Sequence, residues 1–108
     1  MHYQVIFRIE KLELIDKLHN KIKNLKTYME DEGHSLDIEV VFSGDVVRHF
    51  AEDYSDFIAE DLDIALCANA LKGQDMDAIN DRNVRTVKAG IGEIIEKKAA
   101  GWIEFTIE

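Results

Sequence analysis

Cys67 is the one cysteine among 108 residues, and it closes the apolar run Leu62-Asp63-Ile64-Ala65-Leu66 immediately before Ala68-Asn69-Ala70-Leu71. At a boundary between a strand and the positive end of a helix, a thiolate is stabilised, and the thiolate is the nucleophilic form. A single cysteine excludes an internal disulfide and a thiolate zinc cage. It leaves an inert core thiol, a reactive thiol or an intermolecular partner. A cysteine hydrolase would need a histidine base, yet His2, His19, His34 and His49 are scattered with no motif linking them to Cys67, and they read as surface residues. No histidine or carboxylate spacing recommends a metal.

Three further segments repeat the pattern of small or polar residues after an apolar run: Ile9-Glu10-Lys11, Ser43-Gly44-Asp45 and Lys88-Ala89-Gly90. Such turns let backbone N–H groups face an anion. Ordinary helix capping by Ser43, Asp45 and Asn69 explains the same residues. Gly90-Ile91-Gly92 matches a fragment of the dinucleotide fingerprint, but the remaining glycine is missing and the segment follows the fourth strand, so no nucleotide cofactor is expected. Arg8 stands near the end of an otherwise apolar strand and must reach solvent, a carboxylate or a bound anion, because burying it unpaired is costly.

The elements that must position these groups follow from hydrophobic periodicity. Tyr3 to Ile9 reads as a strand, and Ile15, Leu18, Ile22, Leu25 and Met29 form one helical stripe that Gly33 ends. Asp37 to Phe42 is the second strand; Val46, Val47, Phe50, Tyr54, Phe57 and Ile58 then resume helical spacing. Leu62 to Cys67 is the third strand, with a short helix that Gly73 interrupts before Met76 to Asn80 resumes it. Val84 to Lys88 is the fourth. The last helix opens at Gly90 with Ile91, Ile94, Ile95 and Ala99 predicted on its inner face, and Trp102 to Ile107 closes the chain as a fifth strand. Five strands alternating with four helices predict an α/β domain with a mainly parallel five-stranded sheet, because parallel neighbours need crossover connections. No linker or repeat divides residues 1–108, so one domain is expected. Chemistry in such a sheet belongs at the carboxyl ends of the strands, where the four turns gather.

Composition narrows the partners. With 22 acidic against 13 basic side chains, the net charge of −9 argues against nucleic acid and anionic membrane surfaces. The acidic residues Glu52, Asp53, Asp56, Glu60, Asp61 and Asp63 read as a solvated face, with a basic partner surface as the sharper alternative. No secretory or lipidation signal and no apolar stretch near the roughly 20 residues of a spanning helix is present, which predicts a soluble, cytoplasmic protein in a reducing compartment. Trp102 is expected to pack at a strand start, although an exposed aromatic would suit an oligomer interface.

Taken in order, Val5-Ile6-Phe7-Arg8-Ile9, Asn20 and Asn24, Glu39-Val40-Val41-Phe42-Ser43-Gly44, Ala65-Leu66-Cys67-Ala68-Asn69-Ala70-Leu71, Val87-Lys88-Ala89-Gly90-Ile91-Gly92-Glu93-Ile94 and Gly101-Trp102-Ile103 resemble the DsrE/DsrF-like family. That family includes the sulfur-relay subunits of the DsrEFH and TusBCD complexes and small stand-alone members. The resemblance spans nearly the whole chain. It implies a three-layer α/β/α sandwich, a homo-oligomer, often trimeric or hexameric, and a cysteine at the position of Cys67 that carries sulfur as a persulfide in relay members. Arg8 departs from the pattern, since many stand-alone relatives have a histidine near the end of this strand.

Three readings follow. In the first, Cys67 accepts sulfane sulfur from a donor protein and passes it to an acceptor, Asn69 caps the helix, and Ser43, Gly44, Lys88 and Gly90 wall the pocket with Arg8 nearby. A carrier of this kind need not turn over as an enzyme and requires no cofactor. In the second, the chain is a noncatalytic oligomeric module that binds a small ligand or a protein, and Cys67 is structural. The third, a flavodoxin-like nucleotide binder, lacks a phosphate loop after the first strand.

Overall fold

Alternation within the apolar runs gives one sheet two unequal faces. In the computed structural model, which describes residues 1–58 and 61–108, β1 (His2–Ile9), β2 (Ser35–Phe42), β3 (Asp63–Cys67), β4 (Val84–Val87) and β5 (Ile103–Thr106) pair in the order β4-β3-β2-β1-β5. Every neighbouring pair is parallel. The helices α1 (Ile15–Asp31), α2 (Ala68–Gly73) and α3 (Gly90–Ala99) connect the strands, and together they make the expected three-layer α/β architecture. Among the described residues no helix is long and apolar enough to cross a membrane.

The larger core lies on one face. Val5, Phe7 and Ile9 of β1, Val40 and Phe42 of β2 and Ile64 and Leu66 of β3 point there, against Leu18 and Ile22 of α1, Leu71 of α2, and Phe50 and Phe57 of the segment between β2 and β3. Burying each such side chain is worth about 1.5–3 kcal/mol, so this layer supplies most of the hydrophobic stabilisation. The opposite face is thinner: Ile6, Val41 and Ala65 meet only Ile94 of α3, with Val87 and Trp102 at the margin. A single helix therefore covers the side of the sheet toward which the odd-numbered residues of β3 point.

Three local expectations give way to side-chain competition. The segment after β2 is a 3-10 helix, Gly44–Ala51, and the helical spacing that continues to Ile58 is not used, because Asp53 Oδ1 accepts the Ser55 N–H at 2.9 Å and turns the chain. Residues Met76 to Asn80 form no helix. Ile79 instead donates its N–H to Thr86 Oγ1 and accepts that hydroxyl's hydrogen, while Asn80 Oδ1 takes the Thr86 N–H. On α3 only Ile94 of the four expected inner residues is buried, and Ile91 and Ile95 are each 61% exposed. The stripe that meets the sheet is Gly90, Glu93, Ile94 and Lys97, spaced by threes and fours and selected by charge rather than by hydrophobicity.

The two outer strands differ. Residues 79–81 close the outer edge of β4, with Asp81 and Val84 exchanging backbone hydrogen bonds of 2.7 and 2.8 Å in addition to the Asn80 and Ile79 contacts. β5 has β1 as its single strand neighbour, and its Ile103 and Phe105 are exposed beside α1.

The end of β1 and the start of the 3-10 helix are fitted closely. Ser43 donates its N–H to Ile9 O, Val46 donates to Glu10 O, and Asp45 Oδ1 accepts from Leu12 N–H. Gly44 has φ +72°, and a Cβ there would stand 2.7 Å from Glu10 O, so both conformation and space require glycine. Gly33 has a similar φ of +74° with open space around it. Replacing Gly44 by Ala should cost about 2–4 kcal/mol of unfolding free energy, against about 1 kcal/mol for Gly33→Ala, whose loss is conformational alone. Urea unfolding of the two variants measures the difference, and equal losses would contradict a steric role for Gly44.

Candidate functional site

Cys67 ends β3 and is the N-cap residue of α2, in extended conformation (φ −70°, ψ 120°). Its parity places it with Asp63 and Ala65 on the α3 side of the sheet, and it is 7% exposed. Gly90, the first residue of α3, packs directly upon it. A Cβ at Gly90 would lie 3.4 Å from Cys67 Cβ, 3.5 Å from Ser43 Cβ and 3.0 Å from Val41 Cγ1. The absence of a side chain at this one position lets the start of a ten-residue helix rest against the thiol-bearing residue.

The helix starts at this edge lack side-chain caps. Neither Ser43 before the 3-10 helix, nor Cys67 before α2, nor Ala89 before α3 makes a side-chain capping hydrogen bond. Asn69 does not cap α2, contrary to expectation: it lies inside the first turn and is exposed. Asp45 uses its carboxylate on Leu12, not on its own helix. First-turn N–H groups without capping side chains are the donors that anions use.

Of the residues the sequence pointed to, the structure places Gly90 beside both Cys67 and Ser43. Gly44 turns toward Glu10 instead. Lys88 is exposed, and Arg8 reaches the Glu10 carboxylate at 3.3 Å, which answers the need for a partner. Among the described residues no hydrogen bond or ion pair joins Arg8 or Lys88 to Cys67. Nor do the histidines supply a base. His19 and His49 both bond Asp56, at 3.0 to 3.1 Å, and pack on Phe57 at the larger core. Their convergence from separate segments was not visible in their spacing.

The sequence also concealed a charged layer beneath α3. Glu39, in the middle of the apolar β2, is completely buried. In register with it stands Asp63 of β3, and Arg85 of β4 bonds both: to Asp63 Oδ1 and Oδ2 at 3.0 and 2.9 Å and to Glu39 Oε2 at 3.3 Å. The same guanidinium bonds Glu93 Oε2 of α3 at 2.7 Å. Lys97, one turn further along α3, places Nζ 2.8 Å from Glu39 Oε1 without aligning as a hydrogen bond and 4.5 Å from the centre of the Trp102 ring. Asp63 is thus an ion-pair partner as well as a partly solvated residue. Of the acidic residues read that way, Asp56 is likewise engaged, by two histidines, and Glu60 lies outside the described residues.

Burial, reinforced by the adjacent Glu93 carboxyl, pushes Glu39 up to about 7, against the opposing pull of Lys97. Glu93 moves the other way, held down by the hydrogen bond from Glu39 and by Arg85. Arg85 is held firmly protonated, chiefly by Asp63. Because the folded state binds the Glu39 proton more tightly than the unfolded chain does, Glu39 costs stability as pH rises from the ordinary carboxyl range through 7. The contribution of Glu93, with its lowered value, is retained across that window and lost only at more acidic pH. Urea unfolding from pH 5 to 8 should therefore show wild type losing about 1–3 kcal/mol relative to Glu39→Gln, whose amide does not titrate. A difference between the two proteins that is constant with pH would contradict this.

No family model matches the chain, and no curated protein matches it. Its fold is similar to the solved structure of MTH1491, a protein of unknown function from Methanobacterium thermoautotrophicum, with 25% sequence identity, 96% of this chain and 98% of that chain covered, and a TM-score of 0.78.

Proposed function

We propose that the protein handles sulfur, with Cys67 as the acceptor of a sulfane sulfur atom. The observation that carries this reading is the packing of Gly90 and the uncapped start of α3 against Cys67 at the carboxyl edge of the sheet. In the transfer, the Cys67 thiolate attacks the outer sulfur of a donor persulfide. The donor's S–S bond breaks, the donor leaves as a thiolate, and Cys67 becomes the persulfide. Helix N-terminal N–H groups and the positive end of the dipole favour the anionic sulfur at both stages. The resemblance to the DsrE/DsrF-like family supports the same chemistry and a cytoplasmic homo-oligomer, trimeric or hexameric. The exposed Ile91, Ile95, Ile103 and Phe105 are apolar surface of the kind such assembly covers.

The covering of Cys67 favours a second reading, a noncatalytic oligomeric binding module in which the thiol fills space. Incubation with a small persulfide donor followed by intact-mass analysis separates the two. The carrier gains the mass of one sulfur atom that reductant removes, and Cys67→Ser gains none. Failure of the native protein to gain sulfur at pH 8, where unfolded protein is readily modified, would select the binding module.

A further inference from the structure

The charged layer and the thiol meet the same helix. Gly90, Glu93, Ile94 and Lys97 form the stripe of α3 that lies on the sheet, so the helix is held at one end against Cys67, at its centre by the single buried Ile94, and below by Glu93 and Lys97 over Glu39. Little apolar area secures it, since its other isoleucines face outward.

We propose that Glu39 is a positioning residue that governs access to Cys67: carrying its proton it seats α3 over the thiol, and on losing the proton it loosens the helix and opens the site. Charge balance within the layer is the reason. With Glu39 neutral, the carboxylates of Asp63 and Glu93 are matched by Arg85 and Lys97. Ionisation sets three carboxylates against two cations at a position without solvent. Among the described residues the remaining charged neighbours offer no compensation: Arg8, on the same face of β1, is engaged by Glu10. On β1 the register neighbour is the apolar Ile6; Asp37, earlier on β2, is engaged by His2 and Gln4; and on β5 Glu104 is paired with Lys98. Relief comes most readily by movement of Glu93, which belongs to α3 and whose carboxylate meets the same Arg85 nitrogen as Glu39. Because Gly90 is on the same helix, such movement uncovers Cys67.

The inference rests on the sulfur reading only in treating Cys67 as the reacting group, and its test does not require sulfur. Rates of iodoacetamide modification of Cys67 are measured from pH 6 to 8.5 in the native protein and in Glu39→Gln, which keeps the shape of the side chain and cannot ionise. Matching rates at pH 6 and a native rate about fivefold or more above that of Glu39→Gln at pH 8 are expected, a ratio equivalent to about 1 kcal/mol in the opening equilibrium. Superimposable profiles would overturn the proposal. Should Glu39→Gln not fold, hydrogen exchange of α3 in the native protein, corrected for intrinsic exchange, decides: protection falling between pH 6 and 8 supports the switch, and constant protection overturns it. A pH-dependent opening with no sulfur uptake would reject the carrier function and leave the positioning role standing.

Discussion

The Arg85 guanidinium is the tie on which the thinner half of the molecule depends. It reaches carboxylates from β2, β3 and α3, and so joins two strands and the one helix that covers their face. Exposed ion pairs contribute little, but here one partner, Glu39, is without solvent, so the arrangement of the cations around it matters more than at the surface. The larger core on the opposite face holds together chiefly by apolar area. The α3 face is held by a specific geometry instead, which fixes the rotation of the helix and hence which of its residues meets Cys67.

That division explains what could be read from the sequence. Strand and helix order followed from period-two and period-three-to-four spacing, and the end of the third apolar run put Cys67 at a carboxyl edge, as the structure has it. Spacing failed where side chains bonded backbone groups: Asp53 ended a helical pattern early, and Thr86 drew residues 79 and 80 into a strand edge. It also misjudged the rotation of α3, because hydrophobicity nominated Ile91 and Ile95 while Glu93 and Lys97 took the inner positions.

The charged layer had a signal of its own. Glu39, Asp63 and Arg85 each interrupt an apolar strand, and Glu93 and Lys97 stand four apart on a helix. One charge in a strand is readily placed at an edge; three with consistent parity imply a common buried partner. Such a pairing requires strand order and register, which periodicity does not supply. Asn69 shows the converse limit, since its type suits capping but Cys67 occupies the cap position.

The unlike edges of the sheet bear on how copies of the chain could combine. Residues 79–81 occupy the hydrogen-bonding side of β4, whereas β5 keeps one side open. Strand addition can therefore extend this sheet in one direction only. Joining two copies edge to edge through β5 would consume both open sides and leave the closed β4 edges outermost, so growth by strand pairing would stop at a pair and any larger assembly would use other surfaces. A chain whose two edges were both open would carry the seed of a fibre; this one carries its own terminator.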